Sequence, residues 1–317
     1  MGMVLALSLN PALDLSVQLD TLVPGAINRA SDSRMSPAGK GNNVACVLAA
    51  HGHAVTVSGF LGRDNAGVFE RAFSDWGVTD AFVRVTGDTR INIKLAEQTG
   101  RVSDINAAGA RVSADDWQQL ERTLEARLQR SPAAVVIAGS LPPGVAPDQL
   151  GRLIGLVRAH GIPVWLDTSG EALLAGLAAR PAVAKPNEHE LAEWAGVPLT
   201  GEAERLAAAR RLVESGLDEL ILSLGEHGVC WCYRDPDGQV AILRARPPRM
   251  PVVSTVGAGD TLLAGLLHAR LAQWSREAGL RFATALSADA VRRVGVGRSD
   301  GEDFALLCEQ VQIESVS

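Results

Sequence analysis

At 317 residues, with 47% hydrophobic and 21% charged side chains, the chain is long enough for one large soluble domain or two smaller ones. Aromatics make up only 4%, so its core must be built from Ala, Val, Leu and Ile. The net charge of −6 argues against a nucleic-acid-binding surface, yet a few local cations would suffice to hold a small anionic substrate.

The N-terminus lacks a basic segment and turns polar by Asn10, so no secretory signal is expected. No apolar run reaches the roughly 18 residues of a membrane span. Met1-Gly2 is no myristoylation signal, because Ala6 occupies the Ser/Thr position. A soluble cytoplasmic protein is the expectation. L-D-L-S-V-Q-L-D (13–20) alternates strictly between apolar and polar, the period of a strand with one wet face. Asn42 is expected to cap a helix carrying Val44, Val47 and Leu48 up to Gly52. Asp64 is expected to cap another, carrying Phe69, Phe73 and Trp76 up to Gly77. R-I-N-I-K-L (90–95) alternates again and sets Arg90, Asn92 and Lys94 opposite Ile91, Ile93 and Leu95. That polar row reads either as a solvated face or as a ligand face. Ser113 and Asp116 form a capping box ahead of Trp117, Leu120 and Leu124.

From about residue 130 onward, short apolar runs alternate with helical periodicity. The runs are A-V-V-I-A-G (134–139), I-P-V-W-L-D (162–167), A-V-A-K-P-N (182–187) and E-L-I-L-S-L-G (219–225). Between them, Leu150, Leu153, Ile154 and Val157 precede Gly161, and Leu206, Ala209, Leu212 and Val213 precede Gly216, each a helix face closed by glycine. Cys46, Cys230, Cys232 and Cys308 lack C-x-x-C spacing, and the six histidines show no H-E-x-x-H pattern, so zinc chemistry is not expected. Alternating βα units imply an α/β fold with a mostly parallel sheet covered on both faces. The two wet-faced segments read as a small accessory sheet projecting from it. No repeat or linker divides the chain, so a single domain over 1–317 is expected.

Three clusters carry candidate chemistry. In S-T-V-G-A-G-D (254–260), Gly257 and Gly259 free the backbone to approach a ligand, and a helix follows immediately. Its N-terminus offers unsatisfied N–H groups and positive potential, with Asp260 in the first turn. A phosphate site and an Asp that merely favours a helix start both fit this run alone. A-G-K-G-N-N (38–43) gathers Lys40 and two amides at another helix start, suited to an anion or a polyol, or no more than a capped helix. It lacks the third glycine of a dinucleotide site, and no P-loop motif exists in the chain. K-P-N-E-H-E (185–190) ends a buried strand, where Lys185 can touch phosphate and Asn187 and Glu190 can hold a hydrated Mg²⁺.

Together, in this order, these clusters resemble the PfkB family of ribokinase-like sugar kinases, from N-P-A-L-D (10–14) to the G-A-G-D run. The family's two signature regions correspond to A-G-K-G-N-N-V-A (38–45) and S-T-V-G-A-G-D-T (254–261). G-F-L-G-R-D-N (59–65), T-R-I-N-I-K-L (89–95), A-G-S-L-P-P-G (138–144) and V-V-S-T-V-G-A-G-D (252–260) are similar to its 1-phosphofructokinase branch. Branches acting on tagatose 6-phosphate and fructose 6-phosphate share many of them.

The resemblance implies a ribokinase-like three-layer α/β/α fold whose accessory strands, about 12–34 and 89–106, form a lid and a homodimer contact. It implies ATP-dependent phosphorylation of fructose 1-phosphate at O6, with Asp260 as general base and the amides of Gly257, Ala258, Gly259 and Asp260 as an anion hole. Asp14, Gly39, Asn43 and Ser140 would hold the sugar. Lys40, Arg90, Arg29 and Asn92 would grip its phosphate. Lys185 would contact ATP, Asn187 and Glu190 would hold Mg²⁺ through water, and Ser223, Leu224, Gly225, Glu226, His227 and Gly228 would line the ATP site. A monovalent cation is a further expectation from the resemblance. No role is implied for Lys94, which stays with the solvated-face reading. The sequence departs from the family pattern at Ala38, where glycine is usual, and in V-G-V-G-R-S-D (294–300), which puts the adenine-side contacts in question. A sugar-sensing protein without catalysis and a dinucleotide-binding oxidoreductase are the readings from other classes.

Overall fold

The computed structural model describes residues 2–293 and 295–316. Among these, the parallel part of the main sheet is built from β1 (Val4–Ser8), β4 (Val55–Gly62), β5 (Thr79–Asp80), β6 (Val83–Val85), β9 (Ala134–Ala138), β10 (Val164–Asp167), β11 (Val183–Ala184) and β12 (Glu219–Ser223). Three antiparallel strands, β13 (Val229–Arg234), β14 (Val240–Arg246) and β15 (Gln312–Val316), extend it in the order β12-β13-β14-β15. A separate four-stranded sheet joins β2 (Ala12–Leu19), β3 (Asp32–Ala38), β7 (Ile91–Glu97) and β8 (Val102–Ile105) in the order β3-β2-β7-β8. The two strictly alternating segments pair with each other in parallel at its centre.

The buried strands show why a parallel sheet forms. Successive residues of β1 point to opposite faces, and both faces are apolar. Leu5 and Leu7 join Val135, Ile137, Val164, Leu166, Leu220 and Leu222 on one side. There they pack under α3 (Ala114–Leu128), α4 (Pro147–Ala159), α5 (Gly170–Ala178), α6 (Glu188–Ala195) and α7 (Glu202–Glu214). Val4 and Ala6 join Val136, Trp165, Val183 and Ile221 on the other, beneath α1 (Lys40–Ala50), α2 (Gly67–Trp76), α8 (Ala258–Leu271), α9 (Arg276–Ala290) and α10 (Phe304–Gln310). Each fully buried Leu or Val contributes about 1.5–3 kcal/mol by leaving water.

Two helix starts differ from the sequence expectation. The first begins at Lys40 rather than after Asn42, because Gly39, at φ 122°, turns the chain where a Cβ would fall 2.8 Å from Ser8 Oγ. Asn42 bonds back to Ala38 O from inside the first turn (3.0 Å). The second begins at Gly67 rather than beside Asp64, whose N–H is already engaged by Gly87 O. The Ser113–Asp116 capping box forms as expected.

Strand order places the site. From β1 the sheet grows outward through β4 to β5, and the chain then returns to β9 on the other flank of β1 and grows through β10 to β12. At such a reversal the connections diverge and leave a crevice at the carboxyl ends of the strands. Into it run Asn10 after β1, Gly139 and Ser140 after β9, Asp167 at the end of β10 and Lys185 after β11. Among the described residues, no helix is long and apolar enough to cross a membrane.

Candidate active site

The glycine turn before α8 is built as the sequence suggests. Gly257 adopts φ 84°, and a Cβ there would meet Gly295 O at 2.7 Å, so neither backbone conformation nor space admits another residue. The N–H groups of Gly257, Gly259 and Asp260 find no backbone acceptor among the described residues, and Ala258 N reaches Thr255 O only at 3.4 Å. Unspent donors at a helix N-terminus are what an anion needs. The turn is fixed from behind: Ser287 Oγ donates to Ala258 O (2.9 Å), and Gly297 N donates to Thr261 Oγ1 (3.1 Å).

Asp260 lies in this first turn and is 5% exposed. Its Oδ2 accepts a 2.7 Å hydrogen bond from Asn43 Nδ2. Burial, reinforced by the nearby Asp167 carboxylate, pushes its carboxyl up to about 6, although Lys40, Asn43 and Lys185 pull the other way. Its neighbour Asp167 is almost wholly buried and stands between two ammonium groups, Lys40 Nζ at 3.0 Å from Oδ1 and Lys185 Nζ at 3.0 Å from Oδ2. The second contact is an ion pair without aligned hydrogen-bond geometry. Burial alone would raise the Asp167 carboxyl, but Lys185 and Lys40 hold it below the ordinary range. Lys40 is in turn held above its usual value, chiefly by Asp167. Lys185 also faces the glycine turn, since a Cβ on Gly259 would lie 3.4 Å from its Nζ.

A second group of polar residues joins the crevice to the accessory sheet. Parallel pairing sets Asn92 opposite Asp14, and Asn92 Nδ2 donates to Asp14 Oδ1 at 3.1 Å. Asn10 Nδ2 donates to Ser140 Oγ at 3.2 Å and to the carbonyls of Ala108 and Leu141. Arg90 donates to Asn10 O (2.8 Å), Pro11 O (3.3 Å) and Ala107 O (2.8 Å), which leaves two of its five N–H groups for other partners. Burial lowers its pKa. Gly39 lies against Ser8 and Pro11 at the foot of this group. Arg29 stands apart, exposed on the connection between β2 and β3 with no hydrogen bond or ion pair to the cluster.

The third group borders β11 and β12. Asn187 caps α6, its Oδ1 accepting from His189 N and Glu190 N, while Glu190 Oε2 accepts from Asn187 N at 2.8 Å. One oxygen of Glu190 remains for an outside partner, and burial raises that carboxyl's pKa. Ser223 bridges to Asn187 in β fashion. Leu224 is buried below a short 3₁₀ turn, Gly225–His227, whose Glu226 and His227 face solvent. Gly228, at φ 97°, passes so close to Ala245 O that a Cβ would stand at 1.9 Å. No three His, Cys, Asp or Glu side chains among the described residues could hold a metal directly. The free oxygen of Glu190 beside Asn187 suits an ion that keeps its own waters, such as hydrated Mg²⁺, better than one held directly by protein.

A helix N-terminus with unspent N–H groups, a buried carboxylate beside it and a polar sheet across the crevice coincide with a match to the pfkB family carbohydrate kinases over residues 8–302. The chain belongs to the pfkB family of carbohydrate kinases. Similar proteins include the 1-phosphofructokinase of Vibrio cholerae, 45% identical over 99% of this chain and 97% of that one. The 1-phosphofructokinase of Escherichia coli K12 is 39% identical over 98% of both. Phosphofructokinase-2 from Escherichia coli, solved with substrates and products or with potassium, superposes with TM-scores of 0.88 and 0.87 at 28% identity, over 98% of this chain and 99% of that one. The three-layer arrangement is thus the ribokinase-like fold of the pfkB kinases.

Within this pfkB kinase, three residues at the site received no role from the sequence motifs. Asp167 closes the run I-P-V-W-L-D, and the available signal was its place at the carboxyl end of a buried strand. Asn10 sits at the equivalent end of β1. Lys94, expected on a solvated face, instead has only 18% of its side chain exposed and reaches Asp14 Oδ2 at 3.5 Å.

Proposed function

We propose that this pfkB kinase transfers the γ-phosphoryl group of ATP to O6 of β-D-fructose 1-phosphate, giving fructose 1,6-bisphosphate and ADP. The observation that carries the reading is Asp260: a buried carboxylate with a pKa of about 6, in the same turn as backbone N–H groups that have no acceptor. Similarity to proteins named 1-phosphofructokinase over nearly the whole chain supports this acceptor.

Asp260 takes the proton of the sugar hydroxyl as its oxygen attacks phosphorus in line with the departing ADP. The amides of Gly257, Ala258, Gly259 and Asp260 stabilise the charge on the transferring group without reorganising, because the turn is already fixed. Asn43 orients the Asp260 carboxylate through its 2.7 Å hydrogen bond and, with Asp14, Gly39 and Ser140, borders the sugar hydroxyls. Lys40, Arg90 and Asn92 serve the phosphate the sugar already carries. Lys185 and the 223–228 turn border ATP. Asn187 and Glu190 would hold a hydrated Mg²⁺, which would supply positive charge to offset that of the terminal phosphates of ATP. A monovalent cation beside the glycine turn and a cytoplasmic location belong to the same reading.

The accessory strands act as the lid that excludes water, the competing acceptor. The lid's outer face leaves Met35, Ile91 and Ile105 at 43%, 41% and 55% exposure, which supports pairing of two chains through it. An Ile105→Asp variant that sediments like the wild type would remove the dimer from this reading. Comparing kcat/KM for fructose 1-phosphate, tagatose 6-phosphate and fructose 6-phosphate tests the acceptor, and preference for either 6-phosphate would overturn it. ADP formation that depends on the sugar separates the kinase from a non-catalytic sugar sensor.

A further inference from the structure

Lys94 is the polar side chain of β7 for which no role is implied, and its surroundings are those of a ligand contact. Its Nζ stands 3.5 Å from Asp14 Oδ2 and 3.4 Å from Asp104 Oδ1. Register produces the meeting: parallel pairing with β2 sets Asn92 opposite Asp14, and antiparallel pairing with β8 sets Asp104 opposite Lys94. Asp14 is therefore held from two sides, by Asn92 at one oxygen and by Lys94 at the other.

The other cations of the crevice are more firmly committed. Lys40 shares the buried Asp167 with Lys185, each at 3.0 Å. Arg90 spends three donors on backbone carbonyls. Lys94 makes two long contacts, and one is to Asp104, whose side chain is 46% exposed. A long pair with one partner open to solvent contributes little and exchanges readily. An ammonium on a flexible stem can turn to an incoming anion, and a phosphate dianion attracts it more strongly than a single carboxylate at equal distance.

We infer that Lys94 is a specificity-determining contact for the phosphate group already present on the sugar. It exchanges Asp104 for that phosphate while Asp14 keeps its orientation. The inference rests on the phosphosugar-kinase reading above, and its test is separable from it. The wild type is first assayed with fructose 1-phosphate, tagatose 6-phosphate and fructose 6-phosphate. Lys94 is then judged only by variant-to-wild-type ratios with the preferred phosphosugar and with unphosphorylated fructose. In Lys94→Gln, KM for the phosphosugar should rise about tenfold or more, as expected for loss of a charged hydrogen bond. kcat and KM for ATP should stay within about twofold, so that preference for the phosphorylated sugar falls by the same factor as KM rises. Lys94→Arg should recover most of that preference. Asp104→Asn, which removes the competing carboxylate, should lower KM for the phosphosugar by about twofold. An equal loss of kcat/KM on fructose and on the phosphosugar would make Lys94 a support for Asp14 alone and overturn the inference. An unchanged KM in Lys94→Gln, or a raised KM in Asp104→Asn, would overturn it as well. The last two variants keep a charge pair or an isosteric amide, so the test stands even if Lys94→Gln fails to fold.

Discussion

The pKa of about 6 at Asp260 makes the acid side of the rate profile a direct probe of the site. A base with that pKa is about nine-tenths ionised at pH 7 and about one-tenth ionised at pH 5, so the wild-type kcat/KM should fall about tenfold between them. A carboxylate at the ordinary 3.8 would lose less than about a tenth of its activity over the same interval. The sugar phosphate has an ionisation of its own near pH 6, which complicates any single profile. Asp167→Asn removes that complication. It deletes the carboxylate that helps raise Asp260 but leaves the ammonium groups of Lys40 and Lys185, so the Asp260 limb must move to lower pH. The ratio of variant to wild-type kcat/KM, measured by chromatographic quantification of ADP at constant ionic strength, should therefore climb as pH falls from about 7 to 5, by up to about tenfold. Substrate ionisation cancels in that ratio. Glu190→Gln serves as the control, because burial also raises Glu190, and its limb should coincide with the wild type. A ratio for Asp167→Asn that does not change with pH would refute the electrostatic account of Asp260.

Asp260→Asn should cut kcat by about 10²–10⁴ with little effect on ATP affinity, measured by single-turnover kinetics and nucleotide titration. The same variant should be the more stable protein at neutral pH. A raised native pKa favours folding only while the carboxyl is protonated, and that stability is lost as pH rises through about 6. The shift from 3.8 to about 6 corresponds to at most about 3 kcal/mol, so urea unfolding should show a larger gain for Asn at pH 7 than at pH 4. Gly257→Ala should lose about 1 kcal/mol or more of stability and most turnover, because φ 84° and a 2.7 Å approach to Gly295 O both exclude a Cβ; unchanged thermal unfolding would count against this. Chelation of Mg²⁺ should abolish turnover while leaving the melting temperature of the nucleotide-free protein within a degree or so, since the described residues include no group of three His, Cys, Asp or Glu side chains that could hold an ion.

The fold was legible where one period ran undisturbed. The buried strand predicted over 134–139 is β9, and the alternating segments 13–20 and 90–95 are the two central strands of the accessory sheet. Helix starts were less legible, because at Gly39 a close approach to Ser8 and Pro11, remote from any local pattern, fixed where the turn falls. In the candidate site, residues carried by short contiguous motifs were visible, as with Asp260 and Asn187. Those defined by pairing were not. Asp167 gains its character from Lys40, 127 positions away, and Lys94 from a register that joins three strands. The loop over 294–300, marked as atypical, is tied to the glycine turn through Gly297 and to Asp289 through Arg298 N (2.9 Å), whereas Val294 lies outside the described residues.

Arg90 bonds the carbonyls of Asn10 and Pro11, where the chain enters the accessory sheet, and that of Ala107, where it leaves. Arg90 itself stands where the chain enters again into β7, so one guanidinium pins three crossings between the two sheets. A swing of the accessory sheet would carry these crossings as one rigid leaf, because no strand pair can peel away without breaking those bonds. The same swing would pull on Asn10, whose amide reaches Ser140 Oγ and Leu141 O on the far side of the crevice. Opening and closing would then be felt at the end of β9 as mechanical strain, whether or not a sugar lies between.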